Sequence, residues 1–266
     1  MEWSVQPTED GSYTLLSGRF HETCHSIHGA RAESEHVFME AGYRYAAHAF
    51  RGENPMNVLE LGFGTGLNGF LVALETLRTG VSARYVSYEK YPVPPEVWCR
   101  LIPEAPHSAV NVASSSAWHA EPGSEPGSEP GSEPGSEPGN AVNQASLFSW
   151  IQSQPWNREV SMAHPDTGEP LFFLEKRHAD FEEAPFRPLT FHVVFMDAFS
   201  PETHPGAWSD ELFSKLFSAL LPGGVLTTYC AKGEVRRTLQ RCGFRTERLP
   251  GPKGKREMLR AVKPLL

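Results

Sequence analysis

The chain has 266 residues, of which 39% are hydrophobic, and a formal net charge of −8 at pH 7, which suits one domain with elaborations around a substantial core. No stretch approaches the roughly 20 apolar residues that span a bilayer, and residues 1–10 lack the apolar run of an export signal. The four cysteines are scattered without a C-x-x-C pair, which fits a reducing cytosol better than a disulfide scaffold, and we expect a cytoplasmic protein without membrane contact.

Residues 1–55 precede the first predicted core strand and are expected to form an N-terminal extension. Residues 11–15 suit a small hairpin, and 34–50 has the apolar spacing of a helix. Between them, four potential metal ligands fall within eight residues, more tightly than in zinc motifs and without a second cluster elsewhere. These residues are His21, Cys24, His25 and His28. We predict no metal and interpret them as loop residues that shape a substrate pocket, with a metal site as the alternative.

The apolar strand 57–61 runs into a loop with Gly62, Gly64 and Gly66, directly before a predicted helix at 67–79. Glycine allows a tight turn and the close approach of a ligand, and the helix start leaves N–H groups free. The spacing G-x-G-x-G lacks the last glycine of the dinucleotide fingerprint, and no phosphate-binding Gly-Lys-Ser/Thr follows. With Glu60 before it, the pattern resembles motif I of class I S-adenosylmethionine (SAM) methyltransferases. The alternative is a turn that binds nothing.

Two further acidic residues follow predicted strands. Glu89 ends the strand 83–88, 23 residues after Gly66, where a carboxylate can accept hydrogen bonds from two ribose hydroxyls. A solvated charge at a strand end is the alternative interpretation. Asp180 follows a strand at 171–174, and similarity to SAM enzymes implies that it accepts the adenine amino group.

Asp197 follows the apolar run 191–196, which is typical of a central buried strand. A carboxylate there faces the same crevice as the glycine loop. It can hydrogen-bond an amine, aim the amine lone pair at a methyl carbon and take up a proton. Phe199 can pack against the acceptor. The alternative is that Asp197 caps the following turn.

The remaining elements continue the alternation of strands and helices, which predicts an α/β fold with a mostly parallel sheet covered on both faces. We expect helices at 208–221 and 235–241 around a strand at 225–229, then an antiparallel pair at 244–249 and 257–262. Residues 121–140 are five tandem Glu-Pro-Gly-Ser or Glu-Pro-Gly-Asn units, which favour neither helix nor sheet. We predict a flexible loop inside the domain 56–266.

The charge is distributed unevenly, because residues 232–263 carry a net charge of +8 and the remainder carries −16. Such clustering of cations is typical of a phosphate-binding surface. A solvated helix face followed by a basic hairpin explains the pattern equally well. The candidate nucleic-acid-binding residues are Arg236, Arg237, Lys253, Lys255 and Arg256.

Several motifs together resemble one family over nearly the whole chain apart from 100–170. The most specific are Gly-Phe-Gly-Thr-Gly-Leu-Asn at 62–68 and Lys-Arg-Glu-Met-Leu at 255–259, supported by Met-Asp-Ala-Phe-Ser-Pro at 196–201. The chain resembles the tRNA 5-methylaminomethyl-2-thiouridine methyltransferases, which comprise the MnmD proteins and the methyltransferase domain of bifunctional MnmC. One departure is Glu-Ala-Gly-Tyr at 40–43, where the family often has a Gly-Asn pair.

The resemblance implies a class I fold, a Rossmann-like seven-stranded sheet with an antiparallel last strand. It implies SAM as methyl donor and the amine of 5-aminomethyl-2-thiouridine, at the wobble position of the tRNA anticodon loop, as acceptor. Asp197 and Phe199 would meet the base. The residues implied to bind SAM are Glu60, Gly62, Phe63, Gly64, Thr65, Gly66, Asn68, Glu89, Lys90 and Asp180. The flavin oxidase domain of MnmC is not found, so no FAD is expected.

Two other classes of function stay open. One is a different SAM-dependent amine alkylator, either an aminopropyltransferase or a small-molecule N-methyltransferase. The other is an RNA-binding protein with a SAM-type fold and no catalysis, although such a protein would need neither Glu89 nor Asp197.

Overall fold

The computed structural model describes residues 2–101, 110–111 and 141–265. The loop expected at 121–140 lies outside the described residues. Within them, the centre of the molecule is an eight-stranded sheet. Its strands are β3 (Met56–Leu61), β4 (Ala83–Glu89), β7 (Glu159–Ala163), β8 (Pro170–His178), β9 (Phe191–Met196), β10 (Leu220–Thr228), β11 (Arg245–Pro250) and β12 (Glu257–Val262). They lie in the order β11-β12-β10-β9-β3-β4-β8-β7, and β5 (Val110–Asn111) and β6 (Ala141–Val142) form a separate antiparallel pair.

Five neighbouring strands, β8, β4, β3, β9 and β10, run parallel. β12 is antiparallel to β10 and pairs with β11 as a hairpin, which confirms the expected antiparallel end of the sheet. The sheet has one strand more than expected, because β7 pairs antiparallel with β8. This short extra strand covers what would otherwise be the open edge of β8.

Helices cover both faces of the sheet. They are α1 (Ala30–Ser34), a π-helix (Glu35–Arg44), α2 (Tyr45–Ala49), α3 (Leu67–Thr79), α4 (Pro95–Trp98), α5 (Gln144–Ser153), α6 (Asp210–Ala219) and α7 (Gly233–Arg241). Side chains of β9 alternate between two cores, with Val193 and Phe195 in one and Val194 and Met196 in the other. This alternation follows from the two-residue period of a strand that is buried on both faces.

The N-terminal residues pack onto this sheet. β1 (Trp3–Pro7) and β2 (Tyr13–Ser17) form a hairpin, and the helical segment from α1 to α2 packs on the sheet through contacts such as Phe38 against Phe195. A loop at 18–29 joins the hairpin to α1 and lies beside the carboxyl ends of the parallel strands. The division into an extension at 1–55 and a catalytic domain at 56–266 stays a prediction. In the described part of the chain, no helix has both the length and the apolar character needed to cross a membrane.

Candidate active site

A cavity of ≈ 200 Å³ lies where the parallel strands end. The ends of β3, β4, β8 and β9 contribute backbone and acidic side chains to its wall, as expected for a ligand site in an open α/β sheet. The N-terminal loop supplies the opposite wall. The lining residues are Trp3, Arg19, Phe20, Thr23, Cys24, His25, Gly62, Gly64, Glu89, Lys90, Tyr91, Asp180, Phe181, Asp197, Ala198, Phe199, His204 and Tyr229.

The glycine loop lies against its neighbours more closely than a side chain would allow. A Cβ at Gly62 would stand 2.6 Å from the Asp197 carbonyl oxygen, and at Gly66 it would stand 2.4 Å from Gln152 Nε2. Both glycines also have positive φ angles, of 93° and 73°. The loop therefore requires glycine here to bring β3 beside the end of β9.

Glu89 and Asp180 lie at the same end of the cavity. Glu89 accepts hydrogen bonds from the backbone N–H groups of Gly64 and Tyr91, at 3.1 and 2.7 Å, and burial raises the pKa of its carboxyl above the usual value. Asp180 forms an ion pair with Lys90 across the cavity wall. Burial opposes ionisation of Asp180, but the bonds from Lys90 and the Glu182 N–H outweigh it and lower the pKa.

Asn68 joins two buried carboxylates. Its Nδ2 donates to Glu60 Oε1 at 2.9 Å and to Asp197 Oδ2 at 2.8 Å, and the second Glu60 oxygen accepts from Ser87 Oγ at 2.6 Å. Burial raises the pKa of Glu60 to about 7. Burial, followed by the nearby carboxylates of Glu60 and Glu33, also raises the pKa of Asp197 well above its usual range. A cationic ligand beside Asp197 would favour its charged form.

His25 reaches the same place from the N-terminal loop. Its Nε2 lies 2.8 Å from Thr65 Oγ1, and its Nδ1 lies 3.8 Å from Asp197 Oδ2. The side chain is buried, and burial lowers the pKa of the imidazole to about 4. His25 is therefore neutral at pH 7.

Other contacts hold the N-terminal loop over the segment after β9. The Phe20 ring lies 4.4 Å from that of Phe199, measured between centroids, and Arg19 lies 4.5 Å above the Tyr91 ring. Glu22 accepts hydrogen bonds from the Ser200 N–H and hydroxyl, at 3.0 and 2.5 Å. Phe199 thus has an aromatic partner that sequence reasoning missed. The crowding of His and Cys at 21–28 was the available signal for this wall.

The residues implied to bind SAM fall into two groups. Gly62, Gly64, Glu89, Lys90 and Asp180 line the cavity. The others belong to the loop or to its flanking elements and do not line the cavity. They are Glu60, Phe63, Thr65, Gly66 and Asn68. The binding roles of both groups stay predictions.

The basic segment is largely neutralised by ion pairs. Seven of its cations lie within 4.0 Å of a carboxylate oxygen, in the pairs Lys232–Glu202, Arg241–Asp210, Arg245–Glu247, Arg248–Glu257, Lys253–Glu9, Lys255–Glu33 and Arg260–Glu247. Lys255 also lies 3.9 Å from the centre of the Tyr229 ring. Of the five candidate nucleic-acid-binding residues, two are therefore engaged within the protein. Arg237 and Arg256 are exposed, and Arg236 is half-buried.

Among the residues that the structure describes, no group of three or more His, Cys, Asp or Glu side chains is arranged to hold a metal ion. Cys24 and His25 line the cavity, whereas His28 pairs with Glu9 at 2.9 Å. His28 thus has a different side-chain environment from Cys24 and His25.

Comparison with known proteins finds methyltransferases. The family described as S-adenosyl-L-methionine-dependent methyltransferase matches residues 141–264. The chain is similar to these enzymes over that part of its length. It is 29% identical to the tRNA 5-methylaminomethyl-2-thiouridine biosynthesis bifunctional protein MnmC of Chromohalobacter salexigens, over 97% of this chain and 32% of that protein. It is 31% identical to MnmC of Pseudomonas fluorescens, over 86% of this chain and 30% of that protein.

The methyltransferase spans about a third of the length of these curated relatives. Among solved structures, MnmC2 from Aquifex aeolicus superposes with a TM-score of 0.69 at 20% identity, covering 100% of this chain and 72% of that one. This likeness confirms the class I fold. The resemblance that the motifs indicated is also confirmed, since the relatives are MnmC proteins.

The cofactor of this enzyme is SAM, and the cavity has the features that such a molecule needs. Glu89 offers a carboxylate for ribose hydroxyls, while Tyr91 and Phe181 supply apolar surface for a base. Asp197 is an acidic group near the glycine loop, where a sulfonium cation would be favoured electrostatically. The residues present therefore fit the cofactor.

Proposed function

We propose that this enzyme methylates the exocyclic amine of 5-aminomethyl-2-thiouridine at the tRNA wobble position, giving the 5-methylaminomethyl derivative. The observation that carries the proposal is the Asp197 carboxylate, which is buried in the cavity wall and directed there by Asn68. An amine acceptor needs such an acidic partner, whereas a non-catalytic RNA-binding protein does not. MnmC relatives, which are named for this pathway, support the substrate.

Glu89, Lys90 and Asp180 would hold the nucleoside part of SAM, and Gly62 and Gly64 would pass beside its methionine part. When bound, SAM supplies an electrophilic methyl group on a sulfonium. Asp197 holds the acceptor amine and stabilises the positive charge that develops on its nitrogen as the methyl group is transferred. Its raised pKa also suits it to accept the proton that the product nitrogen releases.

Phe20 and Phe199 form an aromatic surface at the cavity on which the uracil ring can stack. The wobble base must leave the anticodon stack to reach Asp197, and aromatic surfaces compensate for lost base stacking. Exposed Arg19 and Arg256 are free of carboxylate partners among the described residues and are the cations best placed to meet phosphates. A tRNA substrate also supports a cytoplasmic location for the enzyme.

The test is methyl transfer to purified tRNA that carries 5-aminomethyl-2-thiouridine, with nucleosides quantified by mass spectrometry. We expect the aminomethyl nucleoside to gain one methyl group, and tRNA without the aminomethyl group to stay unchanged. Asp197→Asn should reduce the transfer rate by at least about 1,000-fold while calorimetric binding of SAM persists. Efficient alkylation of free polyamines with no reaction on tRNA would instead support the aminopropyltransferase class.

A further inference from the structure

His25 carries a nitrogen that the mechanism above does not use. The imidazole is buried in the cavity wall, and its Nδ1 has no hydrogen-bond partner among the described residues. Buried polar atoms without partners are uncommon and unfavourable, so each one needs an explanation. The nearest acidic atom is Asp197 Oδ2, at 3.8 Å. This separation is too long for a direct hydrogen bond.

The contact between His25 and Thr65 is compatible with a neutral imidazole that carries its proton on Nε2. When Nε2–H donates to Thr65 Oγ1 at 2.8 Å, Nδ1 carries the lone pair of a neutral imidazole. Nδ1 and Asp197 Oδ2 are then two hydrogen-bond acceptors that face each other across 3.8 Å. A ligand nitrogen about 2.9 Å from each atom satisfies both, provided that it carries two N–H groups.

We propose that His25 Nδ1 and Asp197 Oδ2 together hold the two N–H groups of a neutral primary amine, and that this pair limits the reaction to a single methyl transfer. The proposal rests on the proposed function, because it concerns the amine acceptor. It adds His25, from the N-terminal loop, as a residue that determines product specificity.

The number of hydrogens on the acceptor nitrogen sets the limit of one methyl group. A neutral primary amine has two N–H groups and one lone pair, so binding both N–H groups leaves the lone pair free to attack the methyl carbon. The N–C bond forms as the C–S bond breaks, and sulfur keeps the electron pair of that bond. The product is a secondary ammonium whose two N–H groups stay on the same acceptors until one proton passes through Asp197 to solvent.

A second transfer would need the neutral secondary amine, which has only one N–H group. Its methyl group would displace the other hydrogen bond and leave either His25 Nδ1 or Asp197 Oδ2 buried and unpaired. Sites that hydrogen-bond a substrate N–H discriminate against analogues that lack it by about 10,000-fold or more. The pair therefore rejects its own product as a substrate.

The experiment compares two matched variants, His25→Asn and His25→Gln. The Asn side chain can place an acceptor near the position of Nδ1, whereas the Gln side chain places it near Nε2. We measure kcat/KM for tRNA bearing the aminomethyl nucleoside and for tRNA bearing the methylaminomethyl nucleoside. His25→Asn should retain most of the preference for the primary amine. In His25→Gln and the apolar His25→Leu, the ratio of kcat/KM for the primary amine to that for the secondary amine should fall at least tenfold. These two variants should also accumulate dimethylated nucleoside.

A binding measurement separates this proposal from the tRNA assignment. In sinefungin, a SAM analogue, an aminated carbon replaces the sulfonium, so a primary amine lies at the transfer point. We expect the wild type to bind sinefungin more tightly than S-adenosylhomocysteine. The ratio of these two affinities should fall about tenfold in His25→Gln and stay unchanged in His25→Asn. If Asn and Gln variants match the wild type in both ratios, the proposal is overturned. If tRNA is not methylated but the sinefungin preference depends on His25, the tRNA assignment fails and the amine site stands.

Discussion

Two regions of this enzyme concentrate charge, and the structure handles them in opposite ways. At the carboxyl ends of β3 and β9, Glu60 and Asp197 are buried and share the amide of Asn68. In the segment 232–263, eleven Lys and Arg lie mostly at the surface, and seven of them pair with carboxylates. The formal net charge of a region therefore says little about the strength of its electrostatic interactions. Two carboxylates in a low-dielectric site interact more strongly with their surroundings than a surface excess of +8 does.

After Asp197 itself, the largest effect should come from the shared donor, Asn68. Asn68→Ala removes the N–H groups that both Glu60 and Asp197 accept, so Asp197 loses its orientation and two buried oxygens lose a partner. We expect the methyl transfer rate to fall by about 100-fold or more and the free energy of unfolding by about 1–3 kcal/mol. Single-turnover kinetics and denaturant titration measure the two effects.

The matched control is Asn57→Ala, because Asn57 donates from β3 to the Thr190 carbonyl, away from the cavity. This variant should lose some stability but keep its transfer rate. Equal losses of rate in the two variants would show that the position of Asn68 between the carboxylates has no special role.

The second prediction concerns pH. The pKa of Glu60 is about 7 in the folded enzyme and near 4.5 when unfolded, so the folded state binds more protons between these values. The stabilising contribution of this group is complete below pH 4.5 and is lost as the pH rises through 7. Over that window it amounts to at most about 3 kcal/mol. Glu60→Gln should flatten the decline in unfolding free energy between pH 5 and 8, and an unaltered pH profile would contradict the assignment.

Sequence reasoning succeeded where the pattern is local. The sequence correctly predicted the strand 191–196. It also correctly predicted that the glycine loop and the carboxylates at the strand ends meet at the carboxyl edge of the sheet, because parallel strands must end at one edge. β7 was missed because its five residues, Glu159–Ala163, carry no strong alternation and pair only with the neighbouring β8.

The remainder of the site depends on contacts that no local pattern encodes. His25 and Thr65 lie 40 positions apart, and Glu22 and Ser200 lie 178 apart. Their proximity follows from how the N-terminal loop crosses the sheet edge. Pairing of cations is similarly non-local, since Lys255 finds its carboxylate in Glu33, 222 positions away. The sequence therefore predicted the basic segment but not its neutralisation.

Two lysines of the same turn should contribute differently to the free energy of unfolding. Lys255 pairs at 2.6 Å with Glu33, whose side chain is 4% exposed, whereas Lys253 pairs at 2.8 Å with Glu9, which is 49% exposed. Among the described residues, Lys255→Met leaves a buried carboxylate with only the Ser26 N–H as a partner, so we expect a loss of about 1–3 kcal/mol in unfolding free energy. Lys253→Met should leave the denaturation midpoint unchanged. Similar midpoints for both variants would refute the contrast between buried and exposed pairs.

The smallest effect should come from cations that have no carboxylate partner among the described residues. Arg237 and Arg256 are exposed and free to meet phosphates, whereas Arg245 and Arg248 are exposed but paired with Glu247 and Glu257. Reversing the charge of Arg237 and Arg256 together should reduce the slope of log affinity for tRNA against log salt by about 1.4–1.8, the value for two phosphate contacts. The same reversal at Arg245 and Arg248 should change the slope by less than half as much. Equal changes in slope would mean that intramolecular pairing does not decide which cations bind tRNA. The two charged regions would then differ only in how deeply their charges are buried.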